Sequence, residues 1–361
     1  MRGSRIAIIS VLLLGMLIFG GAYYAWITVT DVFQPVTTVG IGKIVPVEIM
    51  QGETTAQIAD NLVAKGLIRN ALAFRVWARI KGLDTHLEAG IYKHLTTSMT
   101  ISDVIDQLLN AQPDAIRVVI PEGWRLEQIA QRFASSGLVK FHQQDFLKYT
   151  RHIDQFPDAG KYPLLKSVPV GDSMEGLLFP SSYQVPVNAT ARDVINQMLQ
   201  ATNDTIQHYH LDKQAQQHHL TVYQMIILAS LVEREVVFDQ DRSGVASVYW
   251  NRVYAPNNGT VGFLESDPSV EYARDTQKPP QHYWADLNDV GSNIAVNSSW
   301  NTYVNKGFPP TPICGPGLAS LQAAAAPPQT KYYYFLGKKD GHIVFASTYD
   351  DFQKDIQQYL H

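Results

Sequence analysis

The most constraining feature of the sequence is a stretch of 24 uncharged, mostly apolar residues from Ile6 to Val29. As an α-helix it would be about 36 Å long, enough to cross the hydrocarbon core of a bilayer with some tilt. Arg2 and Arg5 precede it, and positive charges there favour a cytoplasmic N-terminus. We therefore expect a cytoplasmic tail at 1–5, a transmembrane anchor at 6–29 and an exported remainder.

A cleaved signal peptide is the alternative interpretation of this stretch. A signal peptide has a shorter apolar region that ends at an Ala-x-Ala-like site. Here the stretch ends in Ala22-Tyr23-Tyr24-Ala25-Trp26, and aromatic clusters of this kind are typical of the membrane interface. We expect an uncleaved, single-pass anchor in the inner (plasma) membrane, with the rest of the chain in the periplasm. Both interpretations place that remainder outside the cytoplasm.

The composition of the 361-residue chain excludes several classes of protein. With 45% hydrophobic and 17% charged residues, the chain can form two or three globular units rather than a disordered one. Its 29 basic and 33 acidic residues give a net charge of −4, which argues against nucleic acid as a partner. The single cysteine, Cys314, excludes an internal disulfide and any CxxC motif.

A weak internal repeat marks the first exported module, which follows a linker at 30–44 and spans 45–170. Two stretches match at an offset of 71 residues. The matching pairs are Gly52 and Gly123, Gln57-Ile58-Ala59 and Gln128-Ile129-Ala130, Leu62 and Phe133, and Gly66-Leu67 and Gly137-Leu138. Each copy predicts a strand and then a helix, beginning near Thr54 and Arg125. The Gly-x-Thr start and Ile-Ala-x-x-Leu helix resemble LysM-type peptidoglycan-binding modules; a purely structural repeat is the alternative.

Further elements of the same module follow from its patterning. Phe74, Val76, Trp77 and Ile80 predict the apolar face of another helix. Gly90-Ile91-Tyr92 predicts a strand, and the segment from Thr100 to Leu109 predicts a helix that begins at a Thr cap. The module is therefore expected to be a small α+β unit.

A turn-rich segment at 171–190, with Gly176 and two prolines, predicts a junction before a second, mixed α+β domain at 191–361. The expected elements of that domain are helices over 191–209, 221–237, 318–326 and 349–360, a helix through Val245 and Tyr249, a hairpin of strands 332–336 and 343–347, and irregular chain over 257–316. The predicted fold class is thus α+β throughout the exported part.

Two carboxylates near the end of the predicted helix over 221–237 are the best candidates for chemistry. At 100° per residue, Glu235 lies on the broad apolar face, whereas Glu233 points about 160° away from it. A carboxyl held against apolar side chains has a raised pKa, as a general acid needs near neutral pH. The alternative is a helix-end glutamate that reaches solvent or pairs with Arg242.

Several ordered motifs resemble the endolytic murein transglycosylase (MltG or YceG-like) family over nearly the whole chain. They are Met174-Glu-Gly-Leu-Leu-Phe-Pro180, Ile227-Leu-Ala-Ser-Leu-Val-Glu-Arg-Glu235, Val245-Ala-Ser-Val-Tyr-Trp-Asn-Arg252, Glu265-Ser-Asp-Pro-Ser-Val270, Asn301-Thr-Tyr303, Gly307-Phe-Pro-Pro310 and Pro316-Gly317. The resemblance implies a peptidoglycan lytic transglycosylase, a carbon–oxygen lyase that cuts the MurNAc-GlcNAc β-1,4 bond of nascent strands, leaves 1,6-anhydro-MurNAc ends and so terminates strand elongation. It implies that no metal or other cofactor takes part. It also implies association with peptidoglycan synthases.

The resemblance also implies roles for individual residues. Glu235 matches the catalytic glutamate of the family, and one acid is sufficient because the sugar's own 6-hydroxyl is the nucleophile. Glu233 is expected as a supporting carboxylate on the substrate-binding side. The remaining expected substrate-binding residues are Ser266, Asp267, Asn301, Thr302 and Tyr303. Ser266 and Asp267 are expected in a turn that ends at Pro268, and simple turn capping is the alternative role for such residues.

The sequence departs from the family pattern at a few positions. Thr311 stands where glycine is usual, Gly315 replaces a common asparagine, Ser299-Trp300 replaces a Pro-Tyr pair, and the segment 275–297 is longer than typical. These departures concern the shape of the glycan subsites rather than the catalytic carboxylate.

Three other functions have weaker support in the sequence. The cluster of His208, His210, His218 and His219 has no standard zinc-ligand spacing. Cys314 lies among glycines and prolines, which offer no helix N-terminus to activate a thiolate. The strongest alternative is a membrane-anchored peptidoglycan-binding or scaffold protein without catalysis, which would not need carboxylates on an apolar helix.

Overall fold

A computed structural model of the chain describes residues 31–38, 42–50, 52–82, 90–110, 115–169, 171–257, 259–287 and 295–360. Within these residues the fold is mixed α+β, with twelve α-helices and three two-stranded sheets. The predicted tail and anchor at 1–29 lie outside the described residues. In the part of the chain that is described, no helix combines the length and the apolar character that a membrane span requires.

The chain forms two compact units, and their boundary differs from the junction expected at residues 171–190. Among the described residues, unit 1 comprises 31–116 with Pro186–Asn188, and unit 2 comprises 117–185 with 189–360. The second repeat copy belongs to unit 2 because its backbone forms hydrogen bonds with the backbone of residues in the C-terminal part of the chain. Gly123 N donates to Gly315 O at 2.8 Å, one of the contacts that join this copy to the C-terminal part of the chain.

The described residues of unit 1 form one sheet and three helices. Strand β1 (Val47–Ile49) pairs antiparallel with β2 (Gly90–Tyr92), and Val47 lies opposite Tyr92. Its helices are α1 (Thr55–Ala64), α2 (Ala71–Ile80) and α3 (Ile101–Asn110). The largest fully buried side chains of its core are Ile58, Leu62, Leu67, Phe74, Leu95, Ile101 and Ile105.

The buried face of α2 differs from the predicted one. Phe74 is fully buried and Trp77 is partly buried, as expected, but Val76 and Ile80 are 50% and 68% exposed. The helix buries the arc that contains Ala73, Phe74 and Ala78, so residues near Val76 lie on the opposite side. Apolar spacing alone therefore included two positions that face away from the core.

Unit 2 carries the remaining elements. Its helices are α4 (Leu126–Ala134), α5 (Gln143–Arg151), α6 (Ala191–His208), α7 (Leu211–Gln217), α8 (Val222–Glu235), α9 (Asp239–Tyr254), α10 (Asp267–Gln277), α11 (Leu318–Ala325) and α12 (Tyr349–Tyr359). Strand β3 (Ala115–Val119), which begins at the unit boundary, pairs with β4 (Ser182–Pro186), and β5 (Tyr334–Gly337) pairs antiparallel with β6 (Ile343–Ala346).

The two repeat copies share the same local backbone geometry. Helix α1 begins with a capping box between Thr54 and Gln57, and the side chain of Gln128 accepts a hydrogen bond from the backbone N–H of Arg125 at the start of α4. The paired glycines all have positive φ, at Gly52 and Gly123 before the helices and at Gly66 and Gly137 after them. The repeat therefore encodes one turn–helix–turn segment that is used in both units.

Helix α8 is the central helix of unit 2. Thr221 and Gln224 form the predicted capping box at its start. Eight consecutive residues, Met225 to Val232, are buried, because α8 packs against α9, α10 and α11 as well as α7. A helix that is apolar on every side is stable only in such an interior position. Its last residue, Glu235, thus emerges from the middle of the unit rather than from the surface.

Two segments of unit 2 are more ordered than expected. The predicted junction at 171–190 is part of the core, because Met174, Leu177 and Leu178 are at most 1% exposed. The predicted irregular segment at 257–316 contains α10, and Ser266 is the N-cap of that helix rather than part of a turn. Pro268 lies in the first turn of α10, where its missing N–H costs no helical hydrogen bond.

Gly176 provides a test of how this segment packs. Its φ is +75°, and a Cβ there would lie 2.3 Å from Pro312 Cβ, whereas Gly171 has a φ of +89° and open space around it. We expect Gly171→Ala to lower the free energy of unfolding by about 1 to 2 kcal/mol through its backbone alone. Gly176→Ala should lower the free energy of unfolding by about 1 to 3 kcal/mol more than Gly171→Ala does, because the new Cβ also overpacks against Pro312. Urea denaturation followed by tryptophan fluorescence measures both, and equal losses would contradict the described packing.

Candidate active site

The candidate active site forms where the last turn of α8 meets α9 and the start of α10. Glu235 is partly buried there. Tyr249, from the middle of α9, donates a hydrogen bond to Glu235 Oε1 at 2.5 Å, and Ser266 Oγ donates to the same oxygen at 3.1 Å. Both donors are fully buried. The alternative role, in which Glu235 pairs with Arg242, does not occur, because Arg242 pairs with Glu233 and Asp239.

The two oxygens of Glu235 have different surroundings. Oε1 accepts both hydroxyl hydrogen bonds, whereas Oε2 accepts none within the described chain and is not a buried unpartnered atom. Because Oε1 is occupied as an acceptor, the proton of the neutral carboxyl belongs on Oε2. The arrangement therefore fixes the carboxyl plane and leaves one oxygen able to exchange a proton with a bound molecule.

Burial raises the pKa of Glu235 to about 7. The hydrogen bonds from Tyr249 and Ser266 oppose this rise, since they stabilise the carboxylate, and Asp267 adds to it through charge repulsion. Arg252 has a smaller lowering effect. A pKa of about 7 means that the group carries its proton in a large share of molecules at neutral pH, which suits a general acid.

Ser266 is held in place by its own set of contacts. Its N–H donates to Thr302 Oγ1 at 2.9 Å, and its carbonyl accepts from Ser269 Oγ at 2.7 Å. The preceding residue, Glu265, has a left-handed φ of 52°, a strained conformation for a residue other than glycine. Arg252 stabilises it by donating to Glu265 Oε2 at 3.0 Å and to Leu264 O at 2.6 Å.

The other predicted binding residues surround this group. Tyr303 donates from its hydroxyl to Asp267 Oδ1 at 2.6 Å, and Asp267 is exposed at the start of α10. Asn301 is fully buried, and its side chain bonds Val296 O and Tyr303 N, so it shapes the loop. The structure therefore brings Ser266, Asp267 and Thr302–Tyr303 to Glu235 and gives Asn301 a supporting position behind them.

Glu233 has a different environment from Glu235. Its Oε2 lies 3.3 Å from Arg242 Nη1 and accepts a hydrogen bond from Gly317 N at 2.9 Å, which caps the start of α11. Glu122 lies close to the same glycine and has a raised pKa, mainly through burial and then through repulsion by Glu233. Glu233 thus links α8, α9 and α11, and these contacts stabilise the helix that carries Glu235.

Sequence reasoning missed three residues of this site. Tyr249 and Arg252 belong to the motif over 245–252, but helical periodicity gives no indication that they reach another helix. Glu271, one turn along α10 from Asp267, is 7% exposed, and burial raises its pKa to about 7 against the opposing effect of Arg234. It escaped notice because the segment was expected to be irregular.

A cavity of about 480 Å³ lies further along α10 from Ser266. Tyr272 and Thr276 of α10 line it, about 9 and 15 Å along the helix axis from Ser266. Its other lining residues are Arg125, Leu126, Glu127, Arg151, Gly171, Asp172, Ser173, Glu175, Asp275, Pro279, Tyr283, Trp300 and Thr311. Aromatic rings beside hydrogen-bonding groups can hold a sugar, since ring faces contact its C–H groups.

Buried polar groups form the floor of this cavity. The guanidinium of Arg125 is 4.1 Å from the centre of the Tyr272 ring and donates to Thr276 Oγ1 at 2.7 Å. Burial raises the pKa of Glu175 to about 8, and its Oε1 is a buried atom without a partner in the described chain. Two departures from the family pattern meet in the wall, where Trp300 Nε1 donates to Thr311 Oγ1 at 3.0 Å.

The alternatives based on metal and thiol chemistry have no site in the described residues. No group of three or more His, Cys, Asp or Glu side chains is placed there to hold a metal ion. Cys314 is fully buried, its Sγ donates to Ser230 O at 3.4 Å, and burial raises the pKa of its thiol well above the usual range. Such a thiol is not a nucleophile.

The model of the YceG-like family matches residues 47–358. The chain belongs to this family. A Bacillus subtilis protein named endolytic murein transglycosylase is 29% identical over 360 residues, which covers 95% of this chain and 91% of that protein. A Streptococcus pneumoniae protein of the same name is 28% identical over 378 residues, and the match covers 98% of this chain and 65% of the relative.

A solved structure supports the same grouping. The crystal structure of a Listeria monocytogenes protein described as yceG-like has a TM-score of 0.56 and 28% identity, and the match covers 87% of this chain and 99% of that one. The YceG-like match over 47–358 includes Glu235, Tyr249, Ser266 and the cavity, so the site described above lies inside the span that the family model matches.

The raised pKa of Glu235 predicts a pH-dependent cost in stability. Its pKa is about 7 in the folded protein against an ordinary value of 4.5, so the folded state binds the proton more tightly and loses stability as pH rises from about 4.5 to 7. We expect Glu235→Gln to raise the free energy of unfolding by up to about 3 kcal/mol at pH 8 and by less than about 1 kcal/mol at pH 5. Urea denaturation at the two pH values measures this difference.

The exposed Asp350 on α12 supplies a matched control, since Asp350→Asn also removes one carboxylate from unit 2. That variant should show no comparable gain at pH 8. The raised pKa would be contradicted if the gain in stability of Glu235→Gln over the unmodified protein were no larger at pH 8 than at pH 5.

Proposed function

We propose that this chain is an endolytic murein transglycosylase, a lyase that cuts the MurNAc-GlcNAc β-1,4 bond within uncrosslinked peptidoglycan strands. The observation that carries the proposal is the state of Glu235, a partly buried carboxyl with a pKa of about 7 whose Oε1 is held by two hydroxyls. Membership of the YceG-like family and two relatives named endolytic murein transglycosylase support it.

The proposed reaction needs one acid that later acts as a base. Glu235 Oε2 donates its proton to the glycosidic oxygen while the bond between C1 of MurNAc and that oxygen breaks. The 6-hydroxyl of the same MurNAc attacks C1, and its proton passes to the carboxylate of Glu235. The products are a GlcNAc end with a free 4-hydroxyl and a 1,6-anhydro-MurNAc end. Protons balance, and no water is consumed.

The rest of the site supports this cycle. The Tyr249 and Ser266 hydroxyls stabilise the carboxylate that exists between the two proton transfers, because both donate to Oε1. Asp267 is exposed and accepts a 2.6 Å hydrogen bond from Tyr303, so of these two neighbouring carboxyls Glu235 has the environment of a general acid. The aromatic-lined cavity along α10 supplies room for sugar units away from the cleaved bond.

The location and the role of unit 1 are also proposals. We propose that residues 6–29 form an uncleaved inner-membrane anchor with a cytoplasmic N-terminus, so that the active site works in the periplasm on strands near the membrane and limits their length. The sequence supports this through its 24 uncharged residues and the preceding arginines. The Gly-x-Thr start of α1 supports a LysM-like, peptidoglycan-binding role for unit 1. Association with peptidoglycan synthases rests on the family resemblance.

The test is digestion of purified uncrosslinked glycan strands by the full-length protein in detergent, with products analysed by mass spectrometry. We expect internal cleavage products that carry 1,6-anhydro ends. Glu235→Gln should lower the rate about 100- to 10,000-fold, because the side chain can no longer donate a proton. Since the protonated form starts the reaction, kcat/KM should fall as pH rises above about 7.

Asp350→Asn is the matched control here as well, because it removes an exposed carboxylate from the same unit. It should cleave at the unmodified rate. Hydrolysed, reducing MurNAc ends in place of anhydro ends would refute the lytic reaction. Absence of any cleavage, together with tight binding of the strands, would favour the scaffold function instead.

A further inference from the structure

Helix α2 of unit 1 presents an exposed face that is partly aliphatic and partly basic. Leu72, Val76 and Ile80 are 65%, 50% and 68% exposed, and they follow one another at intervals of four residues. Arg75 and Arg79 lie beside this row, since successive residues turn by 100°. Within the described chain neither arginine has an acidic partner at ion-pair distance, and both are exposed. Exposed aliphatic rows of this kind mark contact surfaces.

This face lies next to the point where the chain leaves the predicted anchor. Asp31, two residues after Val29, forms a 2.9 Å ion pair with Arg69, which immediately precedes the N-cap of α2. Phe33 packs edge-to-face on Trp77 of α2, with 5.8 Å between ring centres. Asp31, the first described residue after the predicted anchor, therefore lies beside the start of α2.

We propose that α2 lies in the interface of the bilayer that holds the anchor, with Leu72, Val76 and Ile80 in the outer acyl region and Arg75 and Arg79 on anionic lipid headgroups. The surface has the composition of an interfacial helix, an apolar row with basic residues at its edge. The contacts of Asp31 and Phe33 with unit 1 hold this helix at the exit of the anchor. The proposal rests on the proposed anchor and does not depend on the transglycosylase activity.

Fluorescence quenching in vesicles tests this contact. Full-length Val76→Cys protein is labelled with an environment-sensitive thiol probe and reconstituted into phosphatidylglycerol–phosphatidylcholine vesicles that contain lipids brominated at shallow acyl positions. Because Cys314 is fully buried, the introduced thiol is the accessible one. We expect at least twofold quenching at position 76 and none for Asp60→Cys, which places the probe on the exposed, acidic position of α1.

The basic residues give a second, independent measurement. Replacing both arginines, Arg75→Gln with Arg79→Gln, should lower the ratio of membrane-bound to unbound α2 by about 25-fold in anionic vesicles, since each basic residue near such a surface contributes about fivefold. In vesicles of phosphatidylcholine alone the double variant and the parent should show the same quenching.

Flotation of the protein with vesicles after an alkaline wash reports the anchor separately. If the protein floats but the probe at position 76 is not quenched, the inference on α2 is overturned while the anchor stands. If the protein does not float, residues 6–29 are not a membrane anchor and the inference on α2 is overturned as well. The proposed glycan cleavage is tested separately and would not be affected by this result. Protection of the probe that depends on protein concentration and not on lipid would assign this face to a second copy of the chain and overturn the inference.

Discussion

The short hydrogen bond from Tyr249 to Glu235 is the interaction on which the site depends. It joins the last residue of α8 to the middle of α9, and the bond from Ser266 adds the start of α10 to the same oxygen. Three helices therefore determine where one carboxyl lies. Their positions follow in turn from the burial of residues 225–232 of α8, because a helix that is packed on every side there has a single position available to its end.

This arrangement exchanges stability for reactivity. Removing Glu235 from water raises its pKa to about 7, which destabilises the folded state increasingly as pH rises from about 4.5 to 7 but keeps the proton available near neutrality. The strained backbone of Glu265 is a second such cost, and Arg252 offsets it by donating hydrogen bonds to Leu264 O and to the Glu265 carboxylate. Glu233 shows the contrasting outcome, since its ion pair with Arg242 and its bond to Gly317 make it part of the scaffold.

The sequence predicted elements better than their surroundings. Capping residues and apolar periodicity located α1, α6, α8, α11 and the C-terminal hairpin, because these patterns act over a few neighbouring residues. They failed at α10, where Asp267-Pro268 resembles a turn but begins a helix, and at Val76 and Ile80, where spacing cannot tell which side of α2 meets the core. The sequence identifies Glu235 through its apolar helix and motif. Tyr249 and Glu271 could be found only from the structure, because their surroundings depend on how α9 and α10 pack against α8.

The most direct measurement is a titration of Glu235 itself, by NMR of protein labelled with ¹³C at the glutamate side-chain carboxyl. We expect a carboxyl resonance that titrates near pH 7, disappears in Glu235→Gln and titrates at higher pH in Tyr249→Phe, since that variant loses a hydrogen bond that favours the carboxylate. A Glu235 resonance that titrates near 4.5, with no response to Tyr249→Phe, would contradict it.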